Sequence, residues 1–435
     1  MPRLESLLRG TISVANAIDR LGDVQANVVL RHGRPVAAHV FMRFDDRRTR
    51  DVKARLAAFA SAHVRSCADQ LAGRADARSF ANVLLSAAGY RTFGLEPPAD
   101  RAFAGGMKRA NLNDPPVDTW EPTFRHDLDA AVVVFANDRD EIGDMLAALA
   151  PLRELAVVYG VELGEELPGG IEHFGFVDGI SQPLFLDEQI AASRHATPAG
   201  AASWDPATPL HVVLADDPYG ASDASLGSYF VFRKLEQHVA RFERGVQNMA
   251  AHLDVSAELA GAMVVGRFKD GTPLAVAGRA GTGPRNDFTY AGDPAALRCP
   301  FASHVRRVNP RGEFDAVAHT PDVQNRIARR GIPFGRPGDE RVGLLFACFQ
   351  ADVGSQFELI QNNWCNFPHF PVLHSGPDPL VGRRNTWDPT TGQKWGPPDA
   401  AGAFPTFAFP ECVTMRGGEY FFAPSIRFLT GLSAA

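Results

Sequence analysis

The amino-acid sequence predicts an α+β fold built from antiparallel sheets, and three observations support this prediction. Apolar residues alternate along Ala38–Phe44, which is typical of a strand. Between residues 38 and 161 the strand and helix patterns follow the order β-α-β-β-α-β, the order of a ferredoxin-like unit with an antiparallel sheet. The second half has similar strand and helix patterns with longer insertions, so we expect two such units.

The elements of the first unit follow one another closely. A charged run, DDRRTRDVKARLAAFASAHV, comes directly after the first strand. Its apolar residues Val52, Leu56, Phe59 and Val64 fall on one face of a helix. The remaining predicted elements are strands at Asn82–Tyr90, Ala130–Ala136 and Leu155–Val161 and a helix at Asp138–Leu149.

The second half has strand and helix patterns separated by longer connections. Strands are expected at Ser228–Arg233, Gly343–Gln350 and Glu419–Phe422, and helices at His238–His252, Ser256–Val265 and Val353–Asn363. The Pro- and Gly-rich stretches Ala192–Pro209 and Ser375–Pro405 are expected to be surface loops. We find no sequence repeat, so the duplication rests on element order. The predicted domains are 1–168 and 169–435, joined near Glu165–Ile171.

Composition places the chain among ordinary globular proteins. It has 435 residues, 45% of them hydrophobic and 22% charged, which is enough chain to bury an extended core. Its net charge is −6, and no block of like charge suggests a nucleic-acid partner. No stretch of about eighteen apolar residues predicts a membrane span. We also see no signal peptide at the N-terminus.

The five cysteines argue against both a disulfide framework and a zinc ribbon. They are odd in number, and none forms a CxxC pair. Reduced, mostly buried thiols in a cytoplasmic protein are therefore the expectation.

Three segments contain candidate functional residues. In GIEHFGFVDGISQP, Asp178 occupies a short turn bounded by glycines, which let the backbone approach a flat ligand. The alternative is an Asx-turn that caps local N–H groups. In CPFASHVRRVNPR, the imidazole of His304 is a suitable haem ligand, but the chain has thirteen histidines and most are structural. In NRIARRGIPFG, the arginines point either into a cavity or to solvent.

Together, these segments resemble a known family. GFVDGISQP, CPFASHVRRVNPR and RIARRGIPFG occur in the order found in dye-decolorising peroxidases. The resemblance extends to VQANVVL near the start, to GLLFACFQADVGSQFELIQNNW and to VTMRGGEYFFAPS, so it covers nearly the whole chain. One departure is Ala26, where the family usually has glycine. The length and insertions are similar to those of the longer subgroup.

The resemblance implies roles for particular residues. Asp178 matches the distal aspartate of the GxxDG motif, His304 the proximal iron ligand and Arg329 the distal arginine. Leu344 and Phe346 match the apolar pair that lines the distal pocket.

Further positions follow from the resemblance with less support. Asp378 is the candidate acceptor of the proximal histidine N–H. Arg306 and Arg311 are candidates for contacts with the haem propionates. Arg330 is the alternative to Arg329 if the alignment is shifted by one residue.

The implied fold is a pair of ferredoxin-like units of the dimeric α+β barrel type, with the haem held mainly by the second unit. The implied cofactor is one haem b per chain, bound non-covalently because no CxxCH motif is present. The implied activity is peroxidase action. Hydrogen peroxide is reduced through an oxoferryl intermediate, and bulky aromatic, phenolic or dye-type substrates are oxidised by one-electron steps.

The residue types suit this reaction. A histidine that donates to a carboxylate is an electron-rich ligand. An aspartate acts as base and then acid, and an arginine stabilises the charge on the leaving oxygen. Burial should raise the pKa of Asp178 and Arg329 should lower it, and we expect the arginine to prevail.

Some alternatives stay open at this stage. Bulky substrates require an aromatic relay to the surface, for which Trp364, Trp387, Trp395 and Tyr420 are candidates unless they serve only in packing. Haem handling such as iron release, a haem sensor or store, and an activity like that of chlorite dismutase are the competing functions. The partners expected are peroxide and an organic reducing substrate, without nucleic acid or membrane. The oligomeric state and the physiological reductant are not predicted.

Overall fold

The computed structural model describes residues 8–73, 79–195, 204–222, 224–313, 322–383, 392–400 and 402–434. Its strands are β1 Val36–Phe44, β2 Phe80–Leu85, β3 Ala130–Ala136, β4 Ala156–Glu165, β5 Ala215–Asp216, β6 Leu226–Gln237, β7 Ala328–Arg329, β8 Ile332–Phe334, β9 Gly343–Gln350, β10 Gln393–Lys394, β11 Thr406–Phe407 and β12 Val413–Ala423.

The α-helices are α1 Val14–Arg20, α2 Thr49–His63, α3 Cys67–Leu71, α4 Ala87–Thr92, α5 Arg101–Gly105, α6 Pro122–Arg125, α7 Arg139–Ala148, α8 Ala150–Arg153, α9 Asp187–His195, α10 Val239–Leu253, α11 Ala257–Val265, α12 His304–Val308 and α13 Ile426–Gly431. Two π-helices occupy Val353–Glu358 and Ile360–Asn366. Short 3₁₀ turns lie at Asp46–Arg48, Met107–Arg109, Val117–Thr119, Leu210–Val212, Asp322–Asn325 and Leu432–Ala434.

The first four strands form a ferredoxin-like sheet in the order β4-β1-β3-β2. All its pairings are antiparallel, with Val40 opposite Val132 on one side and Val161 on the other. Strands β2 and β3 are buried along their entire length. This is why β3 is predicted at its observed bounds, since a continuous apolar run is typical of a strand covered on both faces.

The second half repeats the arrangement as β12-β6-β9, with β7 and β8 both pairing with β9. All these pairings are antiparallel too. Helices α10 and α11 occupy the connection after β6, and the π-helices occupy the connection after β9. The predicted fold class, α+β with ferredoxin-like units, is therefore confirmed.

The two units share one ten-stranded sheet, because β12 pairs with β2 through Phe422 and Leu85. The far ends of this sheet also meet. A Cβ atom added to Gly164 of β4 would lie 2.3 Å from Cγ2 of Ile332 in β8, so only glycine permits this approach. Inside the resulting barrel, the rings of Phe41 in β1 and Phe232 in β6 lie 4.8 Å apart.

Some sequence predictions need correction. The strand predicted at Asn82–Tyr90 ends at Leu85, because the Ser86 hydroxyl accepts the N–H of Gly89 and caps α4. The helix predicted at Val353–Asn363 is π-helical. Strands β7 and β8 lie in the NRIARRGIPFG segment, for which no strand bounds were predicted.

The two units do not have separate apolar cores at the point where they join. Strand β4 ends at Glu165, but the main apolar core contains residues from both halves. The division into 1–168 and 169–435 stays a prediction. All five cysteines are buried, and none forms a disulfide in the described part of the chain. No described helix is long and apolar enough to cross a membrane.

Candidate active site

The main cavity has a volume of about 270 Å³ and lies in the second unit. The described residues that line it all fall between Glu172 and Val413. Leu344 and Phe346 of β9 contribute to one wall, and α12 and the second π-helix contribute to another. Phenylalanine, leucine, valine and isoleucine side chains make up much of the lining, so the cavity suits a large apolar ligand.

The GFVDG segment is held in a tight loop beside this cavity. The Glu172 carboxylate accepts the backbone N–H groups of Phe174 at 2.8 Å and of Phe176 at 2.9 Å. Gly179 has φ +77, a conformation that glycine adopts without strain. The Asp178 N–H donates to the Gly170 carbonyl at 2.9 Å. These bonds fix the backbone on both sides of the Asp178 side chain.

Asp178 and Arg329 form an ion pair that faces the cavity. Arg329 Nη1 lies 3.0 Å from Asp178 Oδ1, and both side chains are about one-third exposed. Arg329 Nη2 donates to the Ile180 carbonyl at 2.6 Å, and the Arg329 backbone N–H donates to Gln182 Oε1 at 3.1 Å. The guanidinium is therefore held against the GFVDG loop.

The charge of Arg329 decides the ionisation of Asp178. Burial alone would raise the pKa of this carboxyl group. The positive charge and hydrogen bond of Arg329, the Gly179 N–H and the charge of Arg31 outweigh burial and leave the pKa below its ordinary value. Asp178 is thus a carboxylate down to acidic pH.

His304 begins the short helix α12 and lines the same cavity. Its Nδ1 donates to Asp378 Oδ2 at 2.8 Å, so Nε2 is the nitrogen left for a ligand in the cavity. Asp378 is fully buried, and its Oδ1 accepts the N–H groups of Leu380 at 2.8 Å and Val381 at 2.9 Å. Burial would raise the pKa of Asp378, but His304, these N–H groups and Arg307 lower it overall.

The two arginines predicted to contact propionates do not line the cavity. Arg306 is fully buried, and its guanidinium donates to Glu313, Asp293 and the Cys299 carbonyl. Its Nη2 donates to the Asp293 carbonyl and to Glu313, so this geometry gives the predicted propionate contact no support, and the contact stays a prediction.

Arg311 is also turned away from the cavity. It donates to the carbonyls of Asn286 and Phe288 and to the Ser181 hydroxyl, and its guanidinium lies 3.9 Å from the Phe288 ring centroid. Ser181 itself lines the cavity. Arg311 thus supports the cavity wall from behind.

Three arginines in the cavity wall were not predicted from the sequence, namely Arg233, Arg267 and Arg383. Arg326, which belongs to the NRIARRGIPFG segment, also lines the cavity. The Nε of Arg233 is buried with no hydrogen-bond partner among the described residues. The sequence feature that could have identified Arg233 is a positively charged residue inside the apolar strand pattern SYFVFRKL. Arg330, the alternative to Arg329, is buried and donates to the carbonyls of Asn27 at 2.6 Å and Val28 at 2.8 Å, away from the cavity.

The candidate relay residues occupy different environments. Trp364 lines the cavity and stacks on Phe370, with ring centroids 5.6 Å apart. Trp395 is buried and donates to the Phe407 carbonyl. Tyr420 is buried and donates to Glu358 Oε1 at 2.9 Å. The fourth candidate, Trp387, lies outside the described residues.

Comparison with known proteins places this site in a family. The family described as Dyp-type peroxidase, C-terminal, matches residues 204–369. The chain is 37% identical to the multifunctional dye peroxidase DyP2 of Amycolatopsis sp., over 99% of both chains. It is 30% identical to a dye-decolorizing peroxidase of Exidia glandulosa, over 81% of this chain and 75% of that one.

Solved structures agree with the sequence comparison. The DyP-type peroxidase of Anabaena sp. superposes with a TM-score of 0.91 at 35% identity, covering 98% of this chain and 99% of that one. The Amycolatopsis enzyme superposes with a TM-score of 0.87 at 34% identity and the same coverage. The resemblance predicted from the sequence is thereby confirmed. The chain belongs to the DyP-type peroxidase family, and it is an oxidoreductase that uses peroxide as its acceptor.

Proposed function

We propose that this peroxidase binds one haem b non-covalently in the main cavity and reduces hydrogen peroxide with electrons from a bulky aromatic, phenolic or dye-type substrate. The observation that carries the proposal is that His304, backed by Asp378, lines the same cavity as the Asp178–Arg329 pair. The names of the Amycolatopsis and Exidia relatives, both dye peroxidases, support the class of reducing substrate.

The residues of the cavity fit a haem. The apolar walls suit the porphyrin ring, and cations such as Arg267, Arg326 and Arg383 in the lining suit its carboxylates. His304 is the candidate iron ligand through Nε2, because Asp378 engages Nδ1. Haem iron, when bound, supplies the electrons that cleave the peroxide bond and takes them back singly from the reducing substrate.

His304 would hold the iron, and Asp378 tunes the basicity of its imidazole. A carboxylate that accepts the second ring N–H fixes the tautomer and makes the imidazole more basic. The buried Asp378 is held by two backbone N–H groups, from Leu380 and Val381. The imidazole orientation is therefore determined by the protein before the cofactor binds.

Asp178 moves the proton. As a carboxylate, it can accept a proton from one oxygen of hydrogen peroxide and return it to the other oxygen, which leaves as water. The lowered pKa keeps it in the basic form. The fixed loop around it keeps Oδ2 available, since Oδ1 is engaged by Arg329.

Arg329 stabilises negative charge as the O–O bond breaks. A fixed guanidinium costs no reorganisation during the reaction, which is why preorganised cations contribute strongly to catalysis. The contacts to Asp178, Ile180 and Gln182 hold Arg329 in place. For the electrons of a bulky substrate, Trp364 is the best placed of the described relay candidates, because it lines the cavity.

The test is stopped-flow mixing of the haem-loaded protein with hydrogen peroxide. We expect Asp178→Asn to retain haem but to slow the peroxide-dependent change of the Soret band by about 10²–10⁴-fold, because a positioned acid–base group contributes that factor. The control is Asp127→Asn, whose side chain is 75% exposed beside Lys108. Equal rates in the wild type and Asp178→Asn would overturn the proposed role.

A further inference from the structure

A second, smaller cavity adjoins the first one. Its volume is about 120 Å³. Asp178 and Arg329 line both cavities, so these two side chains form the wall between them. The proposed acid–base pair is therefore reached from two directions, only one of which passes through the space that the haem would fill.

The second cavity differs from the first in what lines it. Three glycines, Gly170, Gly179 and Gly331, contribute no side chains, which keeps this narrow space open. Gln182 adds a polar side chain, and its Oε1 already accepts the Arg329 N–H. The remaining lining residues are Arg31, Glu166, Leu167, Ile171 and Pro333. None of the described residues that line it is aromatic, in contrast to the first cavity.

An ion pair between Arg31 and Glu166 forms part of the wall of this cavity. Arg31 Nη2 is 2.7 Å from Glu166 Oε1, and the two side chains are 42% and 37% exposed. Neither residue lines the main cavity. Both belong to the first 168 residues, so the N-terminal unit supplies this part of the wall.

Arg31 also reaches toward the acid–base pair. Its Nη1 would lie 3.4 Å from a Cβ atom added at Gly179, the residue after Asp178. Its positive charge contributes to the lowered pKa of the Asp178 carboxyl. The Arg31 side chain is therefore exposed to solvent, forms the ion pair with Glu166 and lies close to Gly179, the residue after Asp178.

We propose that the second cavity is the entrance for hydrogen peroxide and that the Arg31–Glu166 ion pair is its gate. This inference rests on the proposed function. A small molecule with hydrogen-bonding oxygens suits a narrow space lined by glycine, an amide and a charged pair. We expect the ion pair to exclude a planar aromatic reductant. The two substrates then reach the enzyme by separate routes, and the gate selects hydrogen peroxide over bulky hydroperoxides.

The test attaches covalent labels of two sizes to a cysteine introduced at the gate. Because the five native cysteines are buried, a thiol reagent should react selectively at an exposed Arg31→Cys position. The haem-loaded variant is compared before labelling, after a methylthio label and after a pyrene maleimide label. The matched control is Arg139→Cys with the same labels, because Arg139 forms a similar exposed ion pair with Glu165 but lines neither cavity.

Two rate constants are measured, one for the peroxide-dependent Soret change and one for cyanide association with the ferric protein. We expect the pyrene label on Arg31→Cys to slow both by about tenfold or more, because a blocked path lowers association rates. Cyanide dissociation should slow by the same factor, which leaves the cyanide Kd unchanged. A change in Kd without that kinetic pattern would indicate distortion of the site and would overturn the gate.

Selectivity gives a second measurement. Arg31→Ala should raise the rate with tert-butyl hydroperoxide relative to that with hydrogen peroxide. Unchanged cyanide and peroxide rates in the pyrene-labelled Arg31→Cys protein would overturn the inference and leave the proposed function standing. Absence of any peroxide-dependent change in the wild type would overturn the proposed function, and the gate with it.

Discussion

The two ferredoxin-like units share a strand order but differ in their connections. In the first unit, the helices between β1 and β2 and between β3 and β4 lie within residues 45–79 and 137–155. In the second, the corresponding connections span residues 238–327 and 351–412. His304, Trp364 and Asp378 all lie in these longer connections. Three of the candidate site residues therefore lie in the connections of the second unit, whereas Arg329, Leu344 and Phe346 lie on its strands.

The two units also differ in how completely their strands are buried. Every residue of β3 is buried, because both faces of the strand are covered. In β9, Leu344 and Phe346 are only partly buried, because they face the main cavity. The first unit thus uses its sheet to fill a core, whereas the second uses part of its sheet as the wall of a binding site. This comparison predicts which substitutions affect chemistry and which affect stability.

The largest expected effect is a loss of haem when a histidine of the second unit, rather than one of the first, is replaced. His304→Ala should lose haem or its normal ligation, because Nε2 of this side chain is the proposed iron ligand. His63→Ala, at the end of α2 in the first unit, should keep wild-type haem content. The Soret absorbance per chain measures both. Full haem content and a wild-type spectrum in His304→Ala would remove it as the ligand.

A smaller effect is expected at Arg329. Arg329→Leu should slow the reaction with peroxide by about 10²–10³-fold, the contribution of one preorganised donor. It should also raise the pKa of Asp178, because the largest favourable charge is lost. Asp178 must be ionised to act as base, so the rate is lost as pH falls through its pKa. The acid limb of the pH–rate profile should therefore move to higher pH.

The smallest effect on rate is expected at the neighbouring Arg330. Its guanidinium joins the second unit to the carbonyls of Asn27 and Val28 in the first. Arg330→Leu should leave the peroxide rate within about threefold of wild type. It should lower the free energy of unfolding by about 1–3 kcal/mol, the cost of leaving buried carbonyls unpaired. Urea unfolding measures this change, and the reverse ranking of the two arginines would show that their roles are exchanged.

Much of the fold was predictable because its strands are continuous apolar runs. Strands β3 and β9 have the bounds predicted from the sequence. The prediction failed where one residue changes the local structure. Ser86 starts a helix by capping it, although the apolar pattern continues past this residue. Strands β7 and β8 are too short to show a pattern, and Gly331 separates them.

The site was predictable to the extent that ordered motifs identify individual residues. His304, Asp178, Arg329, Leu344 and Phe346 line one cavity. Spacing alone does not show which way a side chain points on a five-residue helix. The sequence therefore did not reveal that the Arg306 side chain on α12 turns into a buried hydrogen-bond network. Arg233 was missed because its partners Asp114 and Gln361 lie 119 and 128 positions away in the sequence.

The last helix of the chain completes the first unit. Helix α13 packs on α2, and the Ile426 N–H donates to the Asp23 carbonyl at 2.9 Å. The ring of Phe428 lies 6.1 Å from that of Tyr90. During synthesis the N-terminal residues leave the ribosome first, but α13, which covers them, leaves only after every strand of the second unit. The first unit therefore stays partly uncovered until α13 has been synthesised, and a chain that stops before α13 lacks part of its N-terminal core.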